Sequence, residues 1–128
     1  MKILIAEDSA LIRRGIAKIV TDQGFKPIEA ENGAEALAKL RKNERDIALV
    51  ILDWNMPLMD GYEVLCKIRS QNDCAHIPVL MATSDGAEED VIKAIKAGAN
   101  SYLVKPFKPE DMARQINELT NFKAVPKQ

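Results

Sequence analysis

The chain has 128 residues, about one domain, enough to bury roughly two-thirds of the surface its unfolded form exposes without disulfide or metal staples. Its 18 basic residues nearly balance 19 acidic ones, for a net charge of -1, which argues against nucleic acid or a membrane surface as the main partner. The first apolar run stops at Glu7-Asp8, too short for a signal peptide or a membrane span, so a cytoplasmic location is expected.

Five short apolar runs alternate with helical patterns. Lys2 to Ala6 reads as the first strand, followed by a helix over about Ser9 to Asp22 with Leu11, Ile12, Ile16, Ile19 and Val20 on one face. Gly24 stops that helix. Lys26 to Ala30 alternates, as a strand near a sheet edge does, and Asn32 can cap a second helix with Ala36, Leu37 and Leu40 inward. Ile47 to Leu52 is apolar throughout and predicts a central strand covered on both faces. After Asp53, the segment Trp54-Asn55-Met56-Pro57 predicts a loop, because proline cannot continue the ladder.

A third helix is expected from about Gly61 to Gln71, and a fourth strand over Val79 to Ala82 with Thr83, Ser84 and Asp85 at its exit. The two cysteines, Cys66 and Cys74, have only His76 nearby and form neither a zinc spacing nor a disulfide framework. They read as reduced thiols, one packed on a helix and one in a loop. Glu88, Glu89 and Asp90 suit the positive end of a fourth helix that ends at Gly98. Ser101 to Val104 reads as the fifth strand, running into Lys105-Pro106, and Pro109 opens a last helix with Met112, Ile116 and Leu119 inward. The expected fold is α/β, a doubly wound five-stranded parallel sheet with helices on both faces and right-handed crossovers. Residues 1–122 form one domain in this reading, and 123–128 form a short tail.

In such a sheet, ligands bind beyond the carboxyl ends of the strands. Those ends carry Glu7 and Asp8, Asp53, Thr83, and Lys105. Singly, each has an ordinary explanation: Asp8 or Ser9 as cap of the first helix, Ser84 or Asp85 as cap of the fourth, Asp53 as a turn residue, Lys105 as an exposed lysine. Their joint placement on one edge is what those explanations leave out. Clustered carboxylates favour a hard cation such as magnesium, and an aspartate can attack phosphorus when cations neutralise the transferred group. Lys105 and a metal supply two positive centres, and the Thr83 hydroxyl can donate to a phosphoryl oxygen.

The ordered set Glu7-Asp8, Asp53 with Asn55 and Pro57, Asp60-Gly61, Thr83, Tyr102 and Lys105-Pro106 resembles the CheY-like receiver domains of two-component response regulators over residues 1–122. The resemblance implies the flavodoxin-like strand order 2-1-3-4-5. It implies Asp53 as phosphoacceptor and magnesium, with manganese as a substitute, held by Asp8, Asp53 and the Asn55 carbonyl with help from Glu7. It also implies Lys105 on the phosphoryl oxygens, a cis bond before Pro106, and Thr83 and Tyr102 as a switch pair that repacks the face of the fourth helix, fifth strand and fifth helix. Asn55 and Asp85, each two residues after a key side chain, are expected to tune phosphoryl lifetime, and Trp54 to report metal binding by fluorescence. The implied partners are a sensor histidine kinase or histidine phosphotransfer protein and a downstream protein target, with the chain a monomer or a phosphorylation-linked dimer. No direct nucleic-acid contact and no turnover of an external substrate are expected.

Three alternatives compete. A haloacid-dehalogenase-like phosphatase also uses an aspartate, magnesium, a hydroxyl and a lysine. It normally has an acid where Asn55 stands, however, and its nucleophile follows the first strand. A flavin-binding module of the same fold would meet an acidic loop at Glu7-Asp8-Ser9-Ala10 that repels a cofactor phosphate. A receiver used only as a phosphorylation-independent scaffold is the third, and none of the expected phosphorylation residues is missing.

Overall fold

The apolar runs form β1 (Lys2–Ala6), β2 (Lys26–Ala30), β3 (Ile47–Leu52), β4 (Val79–Thr83) and β5 (Ser101–Val104). The helices are α1 (Ala10–Asp22), α2 (Gly33–Asn43), α3 (Gly61–Ser70), α4 (Glu88–Ala97) and α5 (Pro109–Ala124). The computed structural model describes residues 1–71 and 74–124, the last four as backbone alone. All pairings are parallel, in the order β2-β1-β3-β4-β5, as the resemblance implies. The strand order reverses at β1, so β1 and β3 diverge at a crevice on the carboxyl edge.

Period-2 alternation divides the core in two. Leu4, Ala6, Val50, Leu52, Val79 and Met81 point to one face and pack with residues of α2, α3 and α4. Ile3, Ile5, Leu49, Ile51, Leu80 and Ala82 point to the other and pack with residues of α1 and α5. β3, buried along its whole length, needs apolar residues at every position because it has no solvent face. β2, at the edge, keeps only Ala30 fully buried.

The inner face of α1 differs from the predicted one. Arg13, Ile16, Ala17 and Val20 are buried, an i, i+3, i+4, i+7 stripe, whereas Leu11 is 84% exposed and Ile12 is also exposed. A polar residue takes the first position of the stripe because its guanidinium finds partners there: Arg13 donates to the Glu7 carbonyl at 2.8 Å and to Glu29 at 3.0 Å. Cys66 lies on α3 but is exposed rather than packed, and Cys74, in the loop before β4, is the buried thiol. α5 continues to Ala124, two residues into the expected tail, and 125–128 lie outside the described residues.

Candidate functional site at the carboxyl edge of the sheet

Backbone pairing continues one residue past three strand ends and thereby fixes the site. Glu7 N–H donates to the Ala30 carbonyl at 3.0 Å, Asp53 N–H to Ala6 at 2.9 Å, and Lys105 N–H to Thr83 at 2.9 Å. The three side chains that follow β1, β3 and β5 are therefore held by the sheet rather than by mobile loops. Ser9, and not Asp8, caps α1: its Oγ accepts from Ile12 N–H at 3.4 Å, leaving the Asp8 carboxylate exposed at the mouth of the crevice.

The loop after Asp53 is closed by the start of α3. Gly61 N–H donates to the Trp54 carbonyl at 2.8 Å, and a Cβ on Gly61 would collide with the Asp53 carbonyl oxygen. Only glycine lets α3 begin this close to the loop after Asp53. Asp60 caps the helix by accepting from Glu63 N–H at 2.9 Å. Leu58, at φ 72°, holds the left-handed conformation that the turn requires, an unusual backbone state for a residue with a branched side chain.

Carboxylate oxygens of Glu7, Asp8 and Asp53 lie within 4.8 Å of one another. Lys105 Nζ bridges two of these acids, at 2.5 Å from Glu7 Oε1 and 3.2 Å from Asp53 Oδ2. The second Glu7 oxygen accepts from Ser9 N–H at 3.1 Å, so both oxygens of this buried carboxylate have a partner. Burial raises the Glu7 carboxyl above its ordinary value, against the lowering effect of the Lys105 hydrogen bond. Burial pulls Lys105 the other way from its net shift, because the Glu7 hydrogen bond and the Asp53 charge outweigh it and raise its pKa. Lys105 is therefore a fixed cation. Three carboxylates against one ammonium leave the site short of positive charge, and an all-oxygen donor set with one exposed member fits a hard divalent cation. The bond from Lys105 to Pro106 is cis.

A second group lies beside the acids. Thr83 is fully buried, and its Oγ1 accepts from Asp85 N–H at 3.4 Å. Asp85 is a junction: its carboxylate accepts from Asn55 Nδ2 at 3.2 Å and its carbonyl from the Tyr102 hydroxyl at 2.5 Å. Asn55 N–H in turn donates to Asp53 Oδ1 at 3.4 Å. A chain of contacts thus runs from the loop after Asp53 through Asp85 to Tyr102 on β5. Burial, then the charges of Asp85, Asp90 and Asp53, pushes the Tyr102 hydroxyl up to about 12, so it remains a donor. With Asp85 so engaged, neither it nor Ser84 caps α4; the N-cap is Ala87, with no side-chain capping bond.

Three features are absent from the sequence reading. Arg13, which holds the Glu7 carbonyl, breaks the apolar pattern of α1, and that break is its signal. Arg69 makes four hydrogen bonds, to the carbonyls of Gly98, Ala75 and Ile77 and to Asn100 Oδ1, clamping α3 to the ends of β4 and α4. Trp54 stacks on Tyr62 with ring centroids 5.5 Å apart, and Lys93 Nζ lies 4.4 Å from the Tyr62 ring centre. No spacing rule joins residues 54, 62 and 93, which belong to three different elements.

The family profile of the response regulator receiver domain matches residues 3–117. A chemotaxis protein CheY homolog from Campylobacter jejuni is 41% identical over 120 residues, covering 93% of this chain and 92% of that protein. Among solved structures, CheY4 of Vibrio cholerae superposes with a TM-score of 0.85 at 34% identity, over 92% of this chain and 97% of that one. A complex of CheX, CheY, BeF3 and magnesium from Borrelia burgdorferi contains a chain that matches with a TM-score of 0.87 at 29% identity, over 93% and 88%. These likenesses span nearly the whole chain and set the phosphatase and flavin alternatives aside: the chain belongs to the response regulator receiver domain family, whose members are signalling domains.

Proposed function

We propose that the chain accepts a phosphoryl group on Asp53 and uses it to reset the surface formed by α4, β5 and α5. The observation that carries this reading is the Asp53 carboxylate, buried at the sheet edge, 3.2 Å from the Lys105 ammonium and gathered with Glu7 and Asp8. An Asp53 oxygen attacks phosphorus, the new O–P bond forms as the bond to the donor breaks, and the leaving group departs with the electron pair. Lys105, already in contact with Asp53, neutralises a phosphoryl oxygen. Asp8, Asp53 and the Asn55 carbonyl would hold magnesium, or manganese in its place, which would supply the remaining positive charge. Glu7, with both oxygens engaged by Lys105 and Ser9, supports that site by positioning Lys105. The Borrelia burgdorferi relative in complex with BeF3 and magnesium supports this pairing of anion and cation.

The Thr83 hydroxyl then turns from Asp85 N–H to a phosphoryl oxygen, and Tyr102 repacks as Asp85 shifts. Asn55 and Asp85, joined across the mouth of the site, tune the phosphoryl lifetime by governing the approach of water. The donor is a sensor histidine kinase or a histidine phosphotransfer protein and the receiver of the signal is another protein, all in the cytoplasm, with 1–122 as the working domain. Among the described residues, no helix is long and apolar enough to cross a membrane. Trp54 adjoins Asp53, so rapid mixing with acetyl phosphate and magnesium should change its emission with saturable kinetics. Loss of that phase in Asp53→Asn supports the reading, and an identical phase in that variant contradicts it.

A further inference from the structure

Among the described residues, α4 buries fewer side chains than any other helix. Its N-cap, Ala87, makes no side-chain hydrogen bond, and Ala94 is its one buried residue among those described. Its remaining hold on the rest of the molecule includes Lys93, whose ammonium lies over the Tyr62 ring of α3. Tyr62 stacks in turn on Trp54, with the two rings only 13° from parallel. Trp54 is bonded covalently to Asp53, and its carbonyl is held by Gly61 N–H at the start of α3. A loosely anchored element is where small forces decide a position, and here a cation and two stacked rings join that element to the acceptor loop.

We propose that Tyr62 and Lys93 are positioning residues that act through Trp54: they hold the Asp53–Asn55 segment in the geometry that binds the metal and couple that geometry to the placement of α4. This inference rests on the metal-assisted phosphorylation described above and adds a side-chain route, separate from the Thr83–Asp85–Tyr102 chain, between the site and α4. Coupling of this kind is reciprocal, so releasing α4 from Tyr62 weakens the site as surely as filling the site steadies α4. Electrostatics alone predicts the opposite sign. Removing a positive charge from the neighbourhood of an acidic cluster should tighten binding of a divalent cation, whereas loss of a positioning contact should weaken it.

The test is a magnesium titration followed by Trp54 emission in the full chain, taking the half-saturation concentration rather than the amplitude, for wild type, Tyr62→Leu, Lys93→Ala and Lys93→Arg. Thermal melting of each metal-free protein runs alongside. The expected result is a half-saturation raised at least threefold in Tyr62→Leu and Lys93→Ala, with Lys93→Arg within twofold of wild type because a guanidinium also sits over an aromatic face. Lys93 is exposed, so its variants fold even if Tyr62→Leu does not. A Lys93→Ala value less than threefold above wild type, or below it, overturns the proposal, as does a Lys93→Arg value that matches Lys93→Ala. Absence of any magnesium response in wild type would remove the metal reading itself, a result distinct from a wild-type response that the variants share.

Discussion

Gly61→Ala is expected to destabilise the protein and weaken the proposed metal site together, although alanine is the better helix former. Gly61 opens α3 at a negative φ, so the backbone itself accepts alanine, and propensity with unfolded-state entropy favours the change by about 0.4–1 kcal/mol. Sterics oppose it. The added methyl would collide with the Asp53 carbonyl oxygen, 2.9 Å from the Asp53 carbonyl carbon and 3.0 Å from Trp54 Cα. All three are backbone atoms, so no rotamer change relieves the overlap, and overpacking of this kind costs about 1–3 kcal/mol. The net loss is about 1–2 kcal/mol, or about 4–8 °C in Tm for a domain of this size. Because relief must come from moving the loop after Asp53 or the start of α3, magnesium half-saturation read from Trp54 should rise in parallel. Gly15→Ala supplies the contrast: within α1 an added Cβ there meets nothing within 4 Å, so the same substitution should stabilise by about 0.5–1 kcal/mol. Thermal melts and magnesium titrations of both variants decide the matter. A Gly61→Ala protein as stable as Gly15→Ala, with unchanged metal affinity, would refute the claim that this glycine sets the loop after Asp53.

Magnesium at about one hundred times its dissociation constant should stabilise the native state by about 2.7 kcal/mol, seen as a rise in Tm that Asp8→Asn removes in large part. A rise of equal size in Asp8→Asn would exclude Asp8 as a ligand. Tyr102, with a folded value of about 12 against 10.0 when unfolded, contributes stability that is complete below pH 10 and lost as pH rises towards 12. That loss should make urea midpoints fall more steeply between pH 10 and 12 in wild type than in Tyr102→Phe; equal slopes would contradict it. Arg69→Lys, which loses the fork that reaches four acceptors on two segments, should cost about 2 kcal/mol in urea unfolding despite keeping the charge. A variant as stable as wild type would show that the clamp is redundant.

The fold was legible because its strands and helices follow simple periods. β3 is apolar at every position since helices cover both its faces, and Gly98 ends α4 at φ 114°, where a side chain would be strained. The site was legible because the sheet places Glu7, Asp53 and Lys105 one residue beyond their strands, so sequence position and spatial position coincide. The errors arose where a polar contact overrides pattern. Leu11 and Ile12 look like core residues of α1, yet Arg13 takes the buried stripe because the Glu7 carbonyl and Glu29 satisfy it. Ser84 and Asp85 look like caps for α4, but Asp85 is drawn into contacts with Asn55, Thr83 and Tyr102, and the helix starts at Glu88 behind an alanine. The Trp54–Tyr62–Lys93 stack and the Arg69 clamp join residues distant in sequence and carry no local signature.

Intact-protein mass after incubation with acetyl phosphate, with and without magnesium, decides whether Asp53 takes the phosphoryl group, with Asp53→Ala as the control. A gain of one phosphoryl group that requires magnesium and disappears in the variant is expected. A gain that persists in Asp53→Ala, or no gain in wild type with active donor and hydrolysis too slow to hide it, would contradict Asp53 as the acceptor.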